Sequence, residues 1–211
     1  PKTAEASAPP QFFPVPAWSH WLLFGGLLSV GIGRSVTLAV LAPIGRELGL
    51  MEIQVGLISA LTAAMFFFGG PFWGRRCESM GRRKVMIIGL VGYAVTTMAF
   101  AGIVEAGLHG MAPILIVYPL MLLTRLTFAA VASGVFPASQ SFVAVTTSPE
   151  QRTAGIALQN AAFGLGSILG PAVGAAMVLI SLIAPLYLAA LVALISAVLI
   201  WLFLPEPPVR A

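Results

Sequence analysis

Arg75-Arg76-Cys77-Glu78-Ser79-Met80-Gly81-Arg82-Arg83-Lys84 places five basic residues within ten, between two long stretches that are mostly apolar. Outside this segment charge is scarce: 59% of the 211 residues are hydrophobic, 9% are charged and the mean hydropathy is +0.99. An ordinary soluble domain carries roughly 25% charged residues, so this chain is built to be solvated by lipid.

A spanning helix needs about 20 apolar residues, which gives room for six spans joined by short loops. The hydropathy pattern predicts spans at about 18–44, 55–73, 85–104, 112–145, 153–180 and 185–204. The uncharged run from Thr153 to Pro205 would make a helix of ~75 Å, against a hydrocarbon core of ~30 Å. It therefore turns back once, between Ser181 and Pro185. Residues 1–17 hold five prolines and are expected to be an extended or disordered cytoplasmic tail; 205–211 reads as a tail or the start of a linker. Thr147-Ser148-Pro149-Glu150 reads as a turn followed by a capped helix start. Trp18, His20 and Trp21 stand where span 1 meets the interface and are read as anchors.

Positive charge orients the bundle. With the amino terminus in the cytoplasm, the inner segments hold Lys2, the five basic residues of 75–84, Arg152 and Arg210, eight in all, and the outer loops hold only Arg46. The positive-inside rule then places both termini in the cytoplasm. This distribution also explains the net charge of +4 without nucleic acid as a partner. The single cysteine, Cys77, excludes an internal disulfide. No metal-ligand spacing, phosphate-cradling glycine loop or nucleophile–base constellation is present, so neither an enzyme, a metal nor a cofactor is expected.

Gly74-x-x-x-Glu78-Ser79-x-Gly81-Arg82-Arg83 resembles the signature between the second and third helices of the major facilitator superfamily. It is contracted by one residue, and Ser79 stands where a basic residue is usual. Two other segments carry the same resemblance. One is Arg125 and the small residues after it, through Ser133-Gly134. The other is Gly166-x-x-x-Gly170-Pro171-x-x-Gly174-Ala175, similar to an element of the drug efflux branches, whose glycines share one helix face and admit a close neighbour. Leu204-Pro205-Glu206-Pro207 resembles the point where the first six-helix bundle gives way to the central linker.

The resemblance implies an all-α, six-helix amino-terminal half of a transporter in a bacterial inner membrane, with a small-molecule site near the midplane and alternating access by rocking. A second six-helix half is then implied as a partner, in the same parent chain, a separate chain or a second copy. Gly74, Glu78, Gly81, Arg82 and Arg83 are expected to form a cytoplasmic gate whose ion pairs make and break.

Two arginines lie within spans. A charge at the bilayer centre costs at least about 2.5 kcal/mol, so Arg34 and Arg125 are expected to face a cavity or a partner. Arg125 matches the family's fourth-helix arginine, which the resemblance implies acts in proton coupling or cavity electrostatics. The chain has no aspartate; of its glutamates only Glu105 approaches a span interior, near an outer end. Two arginines without a central carboxylate favour an acidic substrate. Ser133, Gln159 and Asn160 offer neutral hydrogen bonds to a substrate, or equally to helix packing. Proton-coupled efflux is the leading functional reading. An organic-anion facilitator or symporter, and a non-transporting scaffold subunit, are the alternatives.

Overall fold

In the computed structural model, residues 13–207 are described, and α-helices account for nearly all of them. The helices are α1 (Trp18–Glu47), α2 (Glu52–Met80), α3 (Arg82–Leu108), α4 (Ile114–Ala132), α5 (Val135–Thr146), α6 (Pro149–Val178) and α7 (Ala184–Phe203). Taken as one span, α4 and α5 complete a set of six helices long and apolar enough to cross a membrane. The protein is an all-α, six-span integral membrane bundle. Each backbone polar group in such a helix is satisfied within its own segment, which lipid demands.

Span 4 is expected as one helix and is interrupted at Ser133-Gly134. Pro137 explains the break, because it has no N–H for the Ser133 carbonyl and its ring crowds that carbonyl. The Ala130 carbonyl is taken over by side chains: Trp73 Nε1 donates to it at 2.6 Å and Ser133 Oγ at 3.2 Å.

The basic segment also differs from the loop expected of it. Helix α2 runs through Gly74 and Glu78 to Met80, and α3 begins at Arg82, so the turn is Gly81 alone, with φ +94°. Arg82, Arg83 and Lys84 therefore occupy the first turn of α3, where the positive end of the helix dipole disfavours them. Glu206, beyond α7, offsets this by accepting the Arg83 backbone N–H at 3.3 Å.

Helix α1 packs along α6 and α7, and α3 along α4 and α7. The α1–α6 contact rests on small residues: a β-carbon on Gly166 would lie 2.8 Å from the Ile32 nitrogen, and one on Gly170 2.8 Å from the Ile32 carbonyl oxygen. Ser35 Oγ donates to the Ser167 carbonyl at 2.7 Å across the same seam. Helix α6 continues through Pro171. Helix α2 buries only Ile58 and Cys77.

The interior has three layers. Leu23, Leu27, Met86, Phe142 and Leu204 form one end, with Val15 packed on it. Ile44, Phe100, Val104, Met121 and Leu186 form the other. Between them lies a thin layer of Tyr93, Phe128 and four alanines. Six spans bring Phe13 and Pro207 to the same end, where Phe13 N donates to the Val145 carbonyl at 2.9 Å. Phe13 to Ala17 thus includes a docked strap, while Pro1–Phe12 of the expected tail, with Lys2, lie outside the described residues, as do residues 208–211 with Arg210.

Candidate functional site

The thin middle layer is where polar groups gather. Arg34 lies about 24 Å from the start of α1 and about 20 Å from its end, at 1.5 Å per residue. Arg34 and Arg125 both line a hollow of about 440 Å³ between α1, α2 and α4, with Thr37, Thr62, Phe66 and Phe128 among its walls. That volume falls within the ~300–1,000 Å³ of small-molecule sites.

The two arginines are held differently. Arg125 is 4% exposed. Its guanidinium lies over two rings, 4.3 Å from the centroid of Phe128 and 5.1 Å from that of Phe100. These contacts offset part of the desolvation cost of a buried cation, yet its Nη1 has no hydrogen-bond partner. Arg34 is exposed, and its guanidinium stands 5.9 Å from the Phe163 ring centroid. It also lines a second hollow of about 280 Å³ shared with Phe66, Ser133 and Phe163.

Tyr93, on α3, completes the buried polar set. It is wholly buried, its hydroxyl has no partner, and its ring lies 5.0 Å from that of Phe128. The hydroxyl occupies the space that a side chain at residue 33 would fill, so Gly33 makes room for it. The hydroxyls of Thr37 and Thr62 donate to carbonyls of their own helices, at 2.8 and 2.6 Å. Toward the hollow they therefore act as acceptors only.

Arg34 and Arg125 come together around one hollow, and Ser133 reaches the adjoining one. Gln159 and Asn160 stand outside both, paired with α5. Ser139 Oγ donates to Gln159 Oε1 at 3.0 Å and Gln140 Nε2 to Asn160 Oδ1 at 3.5 Å. Gln159 Nε2 is buried without a partner. Phe66, Phe128 and Tyr93 carry no site signal in the sequence, because an aromatic residue in a span reads as lipid-facing or core until its neighbours are known.

At the end of the bundle that holds Phe13 and Pro207, the side chains of Arg82 and Arg83 are tied, among the described residues, to neutral oxygens rather than carboxylates. Arg82 Nε donates to Ser141 Oγ at 3.0 Å, and the Arg83 guanidinium to the Trp201 carbonyl. Glu78 is exposed on the last turn of α2, Gly74 lies within that helix, and Gly81 forms the turn into α3. Cys77 is fully buried beside them.

Known proteins supply a context for this geometry. A sequence model described as Major Facilitator Superfamily matches residues 23–211. The chain is 26% identical over 186 residues to multidrug resistance protein 1 of Bacillus subtilis, covering 88% of this chain and 45% of that protein. It is 23% identical over 187 residues to quinolone resistance protein NorA of Staphylococcus aureus, covering 89% and 45%. The chain thus spans somewhat less than half the length of these curated relatives. Six helices long and apolar enough to span a membrane, together with bacterial relatives, place it in a bacterial plasma membrane.

Proposed function

The chain belongs to the Major Facilitator Superfamily, a family of transporters rather than enzymes, and on that premise we propose that it forms one six-helix half of a proton-coupled exporter. The observation that carries this reading is the mid-bundle hollow faced by two intramembrane arginines. A second six-helix body, from a longer parent chain, a separate chain or a second copy, supplies the opposing wall, and the small molecule is exposed to each side in turn. Relatives named for multidrug and quinolone resistance support the outward direction.

Arg125 is the charge whose surroundings change as the bundles rock, since its rings and its unpartnered Nη1 leave it tied to no carboxylate among the described residues. The hinge at Gly81, held to α5 by Arg82 and to α7 by Arg83 and Glu206, acts as the cytoplasmic gate. Each of these charge-assisted bonds contributes about 1.5–3 kcal/mol net, small enough to exchange during the cycle.

Inverted membrane vesicles carrying the native gene product test this reading. The vesicles are energised to acidify their lumen, and acridine orange reports the pH gradient as neutral, cationic and anionic aromatic solutes are added. A substrate collapses the gradient in these vesicles and not in those carrying Arg125→Gln. If no solute class is exchanged for protons or accumulated, the transport reading fails.

A further inference from the structure

Resting on the reading of the hollow as a substrate site, we infer that its ligand is an apolar or aromatic acid whose single anionic group lies between Arg34 and Arg125. Of the residues that line the hollow, two are cationic and none is acidic. Two like charges facing one low-dielectric space repel each other, and an anion between them removes that repulsion. The glutamates of the described residues stand at or near helix ends, at Glu47, Glu52, Glu78, Glu105, Glu150 and Glu206. Glu105 is engaged by the Tyr187 hydroxyl at 2.7 Å, on the α3–α7 side of the bundle.

The geometry of Arg125 narrows the chemistry. Its guanidinium carbon lies over the rings of Phe128 and Phe100, and Nη1 has no hydrogen-bond partner, so its N–H groups remain to be shared. In-plane donors match the two oxygens of a carboxylate or sulfonate. Tyr93 packs against the Phe128 ring from α3, outside the lining of the hollow. A cation would meet two arginines and no acidic residue in the lining.

The rest of the ligand is apolar. Phe66 and Phe128, with ring centroids 5.5 Å apart, form a tilted aromatic wall, and Leu38, Leu41 and Ile58 continue it. A two-ring body with one acidic group fits a space of about 440 Å³.

The experiment compares 1-naphthoate, 1-naphthylmethanol and 1-naphthylmethylammonium, three probes of one shape and different charge. Binding to the native gene product in nanodiscs of zwitterionic lipid is measured by equilibrium dialysis against empty nanodiscs. Naphthoate is expected to bind saturably and at least about tenfold more tightly than the alcohol, with the amine weakest. Arg34→Gln and Arg125→Gln each weaken naphthoate about tenfold and the alcohol much less. Arg34 is exposed, so its variant folds even where Arg125→Gln does not; protection of buried Cys77 from maleimide reports folding. Equal binding of the alcohol or preference for the amine overturns the acid assignment and leaves the cavity reading standing. If none of the probes binds saturably, the cavity reading fails with it.

Discussion

The Tyr93 phenol ends in the notch at Gly33: a β-carbon at residue 33 would lie 2.6 Å from the Tyr93 ring carbon Cζ and 3.2 Å from the Ala189 β-carbon. Glycine at 33 therefore holds together α1, α3 and α7 at the level of the two arginines. Gly33→Ala should lower stability by about 1–3 kcal/mol, the usual cost of overpacking a filled interior. Replacing Tyr93 by Leu in the same chain should return most of it. Thermal unfolding in detergent measures both; an unchanged midpoint in the single variant would remove Tyr93 from the notch.

The glycines of α6 differ in how much room they have. Gly170 would bring a β-carbon to 2.6 Å from the Ser35 β-carbon, whereas at Gly174 the nearest atom is 3.8 Å away and at Gly164 nothing lies within 4 Å. Gly166→Ala and Gly170→Ala should each cost about 1–3 kcal/mol, because the atoms in the way include backbone. Gly174→Ala and Gly164→Ala should stay within about 0.5 kcal/mol of wild type. Equal effects at all four positions in a thermal-unfolding series would show that packing on α1 does not set the pattern.

Gly81 has φ +94°, and its missing side chain leaves space for the Glu206 carboxylate, 2.6 Å from where a β-carbon would stand. Gly81→Ala should cost about 1–3 kcal/mol through backbone strain. Glu206→Gln should cost about 0.3–1 kcal/mol, by removing the charge that complements the start of α3, and high salt should shrink that difference. A Glu206→Gln effect indifferent to salt would assign the contact to shape rather than charge.

Gln159 and Ser139 form a half-satisfied buried pair, since Gln159 Nε2 has no partner. Ser139→Ala leaves the Gln159 amide wholly unpaired and should cost about 1–3 kcal/mol. Gln159→Leu removes the orphan group and leaves a serine free to bond its own helix, so it should be near neutral. The double variant should recover most of the serine loss, and additive costs in the double-mutant cycle would contradict the pairing.

Six spans were legible because lipid imposes length and apolarity on every span, and the resemblance carried by the basic segment pointed to the family. The basic segment's own conformation was not legible. Helix α2 runs on to Met80 because Glu78 and Ser79 are tolerated in an exposed helix end, and only the positive φ of Gly81 forces the turn. The break at Ser133-Gly134 had a signal in Pro137, whose effect falls on the residue four earlier. Arg34 and Arg125 stood out as charges in apolar runs, and the structure brings them to one hollow. Gln159 and Asn160 carried the same polar signal, but their side of α6 faces α5. Tyr93, Phe66 and Phe128 acquire meaning only from the Gly33 notch and from ring contacts between helices distant in sequence.

The central claim is that the hollow between α1, α2 and α4 opens to each side of the membrane in turn. In a Cys77→Ser background of the native gene product, Thr62→Cys places one thiol on its wall. Its labelling by a membrane-impermeant maleimide is then followed in right-side-out and in inverted vesicles, with and without a proton gradient. Reaction from both faces is expected, with the ratio of the two rates shifting several-fold when the gradient is imposed. Reaction from one face only, at a rate indifferent to the gradient, would contradict it.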